Sequence, residues 1–351
     1  MRLLVTGGAG FIGSNFVLHA LARAEVSVVT LDTLTYAGHK PSLAPVLDDP
    51  RHTFVHGDVR DRALLDGLFN THRPDAVVHF AAESHVDRSI DGPAVFADTN
   101  VTGTVTLLSA AVSHWRTRSE TDKARFRFLQ ISTDEVYGDL GEDGVFTEQT
   151  PLAPSSPYAA SKAAADHFVS AFRRTYGLPT MISRSSNNYG PRQFPEKLIP
   201  LMTLRALRGQ PLPVYGDGQN VRDWIHVDDH CRALLTILSH GQPGLRYNVG
   251  ARCERTNLDI VRRICDVVDT LRPEHAPSHR NIAFVADRPG HDRRYAIDPS
   301  QLEAALGWAP QIDFDQGLAE TISWYADNTD WVTTVRLDAA QRRRGLGRSV
   351  T

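Results

Sequence analysis

The chain has 351 residues, with 38 Lys and Arg against 41 Asp and Glu, a length that suits one large domain or two closely joined ones. Its formal net charge of -3 makes no electrostatic case for nucleic acid or an anionic membrane as partner. No apolar run approaches the roughly 18 residues of a membrane span, and the first residues form a strand and Gly-rich turn without a signal-peptide layout, so a soluble, cytoplasmic protein is expected.

Arg2 to Thr6 reads as a short apolar strand, followed by the turn Gly7 to Gly13 and a helical pattern from Ser14 to Ala24. Gly8, Gly10 and Gly13 fit G-x-G-x-x-G, and Gly7, Gly10 and Gly13 fit the wider G-x-x-G-x-x-G. Glycines at such positions permit a tight turn and let the backbone approach a pyrophosphate at a helix N-terminus. A second strand, Val26 to Leu31, ends in Asp32, at about the twenty-residue distance expected of a ribose-binding carboxylate. A carboxylate there bonds a ribose 2′-hydroxyl and repels a 2′-phosphate, which predicts NAD rather than NADP.

Thr53 to His56 reads as a third strand leading to Gly57-Asp58-Val59, at a strand end suited to an adenine contact. Val77 to Ala82 reads as the fourth, and the polar stretch Glu83 to Ser89 after it would face cofactor and substrate. Long helices are predicted over 94–115 and 158–176. If both keep apolar residues on a second side, they would pair with a second copy through a four-helix bundle, giving a homodimer.

Between them Phe126 to Ile131 forms a strand that opens into Ser132-Thr133-Asp134-Glu135-Val136-Tyr137-Gly138, and strand ends of open α/β sheets are where ligands bind. Ser156 can cap the next helix and Pro157 can be its first residue, which puts Tyr158 and Lys162 four apart on one face. A nearby cation pulls a tyrosine pKa down toward working pH, making Tyr158 a candidate general base. Adjacent carboxylates in different environments can be held one protonated and one ionised. Asp134, Glu135 and Tyr158 are therefore three proton-handling groups that could converge on one site. Lysine occurs only at Lys40, Lys123, Lys162 and Lys197 while arginine is abundant, so a retained lysine is a candidate for a role needing a compact, tunable charge.

After the strand Thr180 to Ser183 the strand-helix alternation loses its regularity, and Ser186 to Pro191 is turn chemistry. The expected fold is α/β: a Rossmann-type doubly wound parallel sheet with a smaller C-terminal substrate-binding domain. Residues 1–190 would be the dinucleotide-binding domain carrying the catalytic residues, 191–331 the substrate domain and 332–351 a flexible Arg-rich tail. A short strand and turn are predicted over Pro211 to Gly218 and another strand over Arg222 to Val227. The arginines and the lysine of this half suit a phosphorylated substrate. Cys231, Cys253 and Cys265 show neither metal-ligand spacing nor a disulfide framework, so no metal site is expected.

The Gly7 to Gly13 turn with the Tyr158 and Lys162 pair resembles the extended short-chain dehydrogenase/reductase superfamily. Ser132 to Gly138, Glu83 to Ser89, Ser186 to Pro191 and Asp287 to Asp292 together resemble the dTDP-glucose 4,6-dehydratases, over Met1 to about Trp331. Asp134 is the most telling residue, because related decarboxylases and other sugar-nucleotide dehydratases tend to keep the glutamate but carry serine in its place. The resemblance implies a lyase that uses NAD and takes dTDP-glucose. Tyr158, helped by Thr133 and Lys162, would take the C4 hydroxyl proton as hydride leaves C4; Glu135 would remove the C5 hydrogen, Asp134 would protonate the departing C6 hydroxyl, and the hydride would return to C6.

By the same resemblance Gly7, Gly10, Gly13, Phe11, Ile12, Asp32, Leu34, Thr35, Asp58, Val59, Ala81, Ala82, Thr99 and Asn188 would contact the cofactor, with Tyr158 and Lys162. Ser84, Asn187, Lys197, Arg222, Asn257, Arg288 and His291 would hold the sugar nucleotide, with Tyr215 by its base. Three positions depart from the family: Ser185 stands where Cys is more frequent, His226 where Tyr is usual and His39 where Asn is usual. An NAD-dependent sugar-nucleotide epimerase or decarboxylase, or an NAD-holding scaffold without turnover, are the competing readings.

Overall fold

In the computed structural model, which describes residues 1–287 and 292–342 (337–342 by backbone alone), seven short apolar runs pair as one sheet. They are β1 (Arg2–Thr6), β2 (Ser27–Asp32), β3 (His52–His56), β4 (Ala76–His79), β5 (Arg127–Thr133), β6 (Thr180–Ser185) and a last strand, Arg246–Val249. Every pairing is parallel, in the order Arg246–Val249, β6, β5, β4, β1, β2, β3. The order reverses between β1 and β4, where Thr6 lies opposite Leu31 on one side and His79 on the other. Such a switch point opens a crevice beyond the carboxyl ends of the strands.

Side chains alternate across a strand, so Leu3 and Val5 point to one face and Leu4 to the other. The first face packs on Phe16 and Val17 of the helix Phe11–Leu21 and on Leu234 of the helix Val227–His240. The second packs on Leu65, Leu107, Leu108 and Val169, from the helices Arg62–His72, Thr104–Arg116 and Pro157–Tyr176. Both faces being covered explains why the strands read as continuous apolar runs. At the centre, Thr6 Oγ1 lies 2.6 Å from His79 Nδ1 and His79 Nε2 lies 3.0 Å from Thr104 Oγ1. Burial pushes the His79 pKa down to about 3, so the ring joins the two threonines as a neutral imidazole.

A continuous helical run, Pro93–Arg116, is long and apolar enough to cross a membrane by length and composition. Here Phe96, Leu107, Leu108, Ala110 and Ala111 are buried, which makes it a core helix. Its Ala97–Gly103 stretch is π-helical, a distortion often found at functional sites.

The second unit holds the strands Asn187–Tyr189, Val221–His226 and Glu254–Thr256 in one small sheet and Leu212–Tyr215 with Ile282–Val285 in another. Its core gathers Tyr189, Ile199, Met202, Trp224, Ile260, Ile264, Phe314 and Leu318. The division near residue 190 is not a single crossing. The helix Val227–His240 and the strand Arg246–Val249 return to the first sheet, because buried Leu234, Leu235 and Ile237 fit its face and the edge of β6 pairs with Arg246–Val249. The expected tail differs as well: Thr329–Arg342 is a helix, with Val332 packed on Leu204 and Tyr325 and Trp331 Nε1 donating to Ser42 Oγ at 3.3 Å. Residues 343–351 of that tail lie outside the described residues.

Candidate active site

A cleft of about 570 Å³ opens at the carboxyl ends of the central strands, and its lining includes Gly7, Gly10 and Gly13 of the turn, Ser132 to Glu135, Tyr158, Lys162 and Lys197. Its floor is the glycine turn. Gly7 has φ +69, and a Cβ on it would sit 2.5 Å from the Ala81 nitrogen. A Cβ on Gly13 would sit 2.3 Å from the Gly7 carbonyl. Gly10 caps the helix Phe11–Leu21 with no side chain, which leaves the first-turn N–H groups facing an open cradle. Asp32 braces this turn from the end of β2: its carboxylate accepts from the Ala9 N–H at 2.9 Å and the Leu34 N–H at 2.7 Å. The cradle and the carboxylate fit a dinucleotide.

Of the expected cofactor positions, Gly7, Gly10, Phe11, Ile12, Gly13, Asp32 and Thr35 line the cleft. Asp58, Val59, Ala81, Ala82, Thr99 and Asn188 line it too, while Leu34 does not. Leu34 has φ 52 and contributes its backbone to the Asp32 turn. Asp58 is paired with Arg60 at 2.6 Å, whose guanidinium holds the carboxyl below its usual range.

Thr133 closes β5 and caps the 3-10 turn Asp134–Tyr137, accepting from the Glu135 N–H at 3.3 Å and donating to Asp134 Oδ1 at 3.2 Å. Asp134 is 1% exposed, and its Oδ2 has no hydrogen-bond partner among the described residues. Burial, reinforced by the charges of Glu135 and Asp223, raises its pKa well above the ordinary carboxyl value. The enclosure thus favours the protonated carboxyl, the form that can give a proton.

Ser156 caps the helix Pro157–Tyr176 by accepting from the Ala159 N–H at 3.1 Å, which fixes Tyr158 and Lys162 on the face toward the cleft. The lowered tyrosine pKa expected from this pair does not hold here. Burial first, then the charge of Glu135, raises the Tyr158 pKa well above 10.0, while a hydrogen bond with Thr133 lowers it. Lys162 turns its ammonium to the Ile131 carbonyl at 2.7 Å, and burial brings its own pKa down to about 8.

On the substrate side Ser84, Asn187 and Lys197 line the cleft, Lys197 Nζ donating to the Ser84 carbonyl at 3.2 Å. Arg222, Asn257 and Tyr215 belong to the second unit and are not among the cleft-lining residues. Arg222 donates to the Asp292 carbonyl at 2.9 Å and lies over the Tyr295 ring at 4.4 Å. Asn257 begins the helix Asn257–Leu271 and donates its N–H to the Asn220 carbonyl, and Tyr215 is exposed where the strand Leu212–Tyr215 ends. The charge of Arg222 is felt by Asp134, so Arg222 borders the catalytic end of the cleft. Arg288 and His291 lie outside the described residues.

Of the three departures, Ser185 accepts from Asn188 Nδ2 at 3.2 Å, a bond that a thiol makes only weakly. His39 stacks on Phe194 with ring centroids 5.3 Å apart. His226 packs edge-on to Tyr189, away from the cleft.

Several residues at the site are not evident from sequence. Asn100, in the π-helical stretch, accepts from the Glu83 N–H at 2.8 Å and donates to the Glu83 carbonyl at 3.0 Å and Ser161 Oγ at 2.8 Å, tying the polar loop to the Tyr158 helix. His230 lies 2.8 Å from Asn188 Oδ1. Glu196, which lines the cleft, pairs with Arg88 at 3.0 Å. A polar residue in a buried helix, as Asn100 is, was the available signal; the pairs themselves join segments far apart in the chain.

A doubly wound parallel sheet with a glycine turn at its switch point, and a Tyr-x-x-x-Lys helix facing the same cleft, defines a protein of the extended short-chain dehydrogenase/reductase class. A family model described as GDP-mannose 4,6 dehydratase matches residues 4–321. A dTDP-glucose 4,6-dehydratase of Xanthomonas campestris pv. campestris (strain B100) is 56% identical over 349 residues, 99% of each chain. The dTDP-glucose 4,6-dehydratase 1 of Escherichia coli (strain K12) is 52% identical over 97% of each. A crystal structure of the dTDP-glucose 4,6-dehydratase of Streptomyces venezuelae with NAD bound superposes with a TM-score of 0.88 at 49% identity, covering 95% of this chain and 100% of that one. A Thermus thermophilus UDP-glucose 4-epimerase in complex with NAD gives 0.83 at 31% identity, covering 93% of this chain and 100% of that one. The chain belongs to the dTDP-glucose 4,6-dehydratase family.

Proposed function

We propose that this protein is a hydro-lyase that converts dTDP-glucose to dTDP-4-keto-6-deoxyglucose with tightly held NAD. The observation that carries the reading is the pairing of a buried Asp134, whose enclosure favours its protonated form, with Glu135 in the same cleft as Tyr158 and Lys162. An epimerase needs the tyrosine and the lysine but has no use for an acid at C6.

NAD, when bound, accepts the C4 hydride and later gives it back. Gly7, Gly10 and Gly13 leave room for its pyrophosphate, and Asp32 favours it over NADP by repelling a 2′-phosphate. Tyr158 takes the C4 hydroxyl proton as the hydride departs. Only the phenolate can take up that proton, so the step draws on the ionised form, which the hydrogen bond with Thr133 favours against burial. Thr133 holds the phenol by a hydrogen bond, and Lys162 keeps a positive charge on the same helix face.

The 4-ketone so formed acidifies the C5 hydrogen. Glu135 removes it and Asp134 protonates the C6 hydroxyl as it leaves as water. Hydride addition at C6 leaves an enolate that Glu135 reprotonates at C5, and the proton taken by Tyr158 passes by way of Thr133 to the Asp134 carboxylate, which restores every group and yields the 4-keto-6-deoxy sugar. Ser84, Asn187 and Lys197 would hold the hexose and diphosphate, and Arg222, Asn257, Arg288 and His291 the nucleotide, with Tyr215 at the base. The cofactor-holding unit and the substrate-holding unit are read as 1–186 with 227–249, and the remainder of 187–331, since the strand Asn187–Tyr189 pairs in the second unit's sheet.

A homodimer is part of this proposal, supported by Phe168 and Tyr176, large apolar side chains left exposed on the helix Pro157–Tyr176. A cytoplasmic location is supported by three unpaired thiols, Cys231, Cys253 and Cys265. Incubation with dTDP-glucose and a search for the dehydrated ketone tests the reading. A 4-epimer as product, or turnover of UDP-glucose equal to that of dTDP-glucose, would overturn the assigned reaction or its nucleotide.

A further inference from the structure

The proposed cycle asks two pairs of side chains to act in turn on one bound sugar: Tyr158 with Lys162 at C4, Asp134 with Glu135 at C5 and C6. The pairs sit on different elements, the second on a 3-10 turn after β5 and the first on the helix Pro157–Tyr176. A buried polar chain joins those elements behind the cleft. Tyr137, the last residue of the turn, donates its hydroxyl to Asn248 Oδ1 at 2.8 Å and accepts from Arg184 Nη1 at 3.0 Å. Arg184 Nε donates to Asp166 Oδ2 at 2.9 Å. Asp166 lies four residues beyond Lys162 on the same helix, hence on the same face.

Position and burial set this chain apart from ordinary surface pairing. Arg184 is 2% exposed and Asp166 1%. Arg184 is the β6 residue opposite Ser132 of β5, at the root of the Thr133–Glu135 segment, and its guanidinium lies 4.9 Å from the centre of the Tyr137 ring. Asn248, which receives the Tyr137 hydroxyl, sits on the returning strand Arg246–Val249 and is itself tied by its N–H to Glu148 at 2.8 Å. A buried ion pair is a weak source of stability, because desolvating both charges costs several kcal/mol per ion. Its use is better sought in what it fixes. A guanidinium has a planar fork that can grip two partners at a set angle, which an ammonium cannot do.

We infer that Arg184 is a positioning residue for the reaction: by holding Tyr137 with one nitrogen and Asp166 with another, it sets the distance between the elimination pair and the oxidation pair. Arg184 touches neither sugar nor cofactor in this role; it acts through Tyr137 and Asp166. The inference rests on the dehydratase reading above, since it presumes that both pairs work on one substrate.

The test uses the full-length protein loaded with NAD, mixed with dTDP-glucose, and reads two rates: the first reduction of NAD and the exchange of the C5 hydrogen with solvent. Tyr137→Phe removes the hydroxyl from the turn while keeping the ring and the Arg184–Asp166 pair. Since an error of about 1 Å in placement can cost on the order of a hundredfold, C5 exchange should fall by about tenfold or more while NAD reduction stays within about twofold. Arg184→Lys keeps a cation beside Asp166 but releases Tyr137, and should show the same asymmetry. Equal loss of both rates in the two variants, the result of a merely structural role, overturns the inference; so does unchanged C5 exchange. If the unsubstituted protein neither reduces NAD nor exchanges the C5 hydrogen, the dehydratase reading itself fails and takes this inference with it.

Discussion

A carboxyl group enclosed as Asp134 is, beside Glu135 and Asp223, resists ionisation. Its folded pKa is raised, so the folded protein keeps this proton while the unfolded chain gives it up above its ordinary value near 3.8. Stability contributed by the neutral form is thus complete below the unfolded pKa and is lost as pH rises toward the folded one. Asn is neutral at every pH. Asp134→Asn should therefore melt higher than the unsubstituted protein, with a margin that grows from about pH 4 upward by as much as about 1.4 kcal/mol per pH unit. Thermal melts across that range check it, and a margin that stays constant would mean Asp134 ionises freely. The price of that proton is a less stable site. Glu135→Gln tests the other carboxylate: NAD reduction on mixing with dTDP-glucose should persist, while C5 exchange drops by about 10²- to 10⁴-fold. Exchange at the unsubstituted rate would remove Glu135 as the base.

At the scale of elements, the β1 turn and the Pro157–Tyr176 helix were the most legible parts of the chain. Each carries a local signature: the glycines in their spacing within one turn, where Gly13 approaches the Gly7 carbonyl, and the helix start in Ser156 and Pro157. Gly13→Ala places a methyl 2.3 Å from the Gly7 carbonyl, so the turn must open. The variant should purify with little or no NAD, measured by releasing the cofactor on denaturation; full occupancy would show that the cradle does not carry the binding. What sequence could not indicate was the electrostatic setting of these elements. The spacing of Tyr158 and Lys162 suggested a lowered phenol pKa, yet burial and Glu135 outweigh the lysine, whose ammonium is engaged by the Ile131 carbonyl. The same limit hid Asn100, His230 and Arg184, whose partners lie on segments distant in the chain.

For the whole molecule, the boundary near residue 190 followed from the loss of regular strand-helix alternation, and the structure shows why that signal misleads. Arg246–Val249 is a strand by pairing with β6, a choice set by the shape of the finished sheet, and Val227–His240 covers a face already built by β1 and its helix. The two units are thereby interlocked. A fragment ending at Gly190 would expose buried Leu3, Val5 and Met181, and should neither fold nor bind NAD; a soluble fragment that retained the cofactor would contradict the interlock. The central claim is that a hydride leaves C4 and returns to C6 within one closed cleft, and dTDP-glucose carrying deuterium at C4 tests it most directly. The account predicts 4-keto-6-deoxy product with that deuterium at C6 and, on mixing labelled and unlabelled sugar, no exchange of label between molecules. Product whose C6 hydrogen comes from solvent or from another substrate molecule, or a 4-epimer with no C6 label, would contradict it.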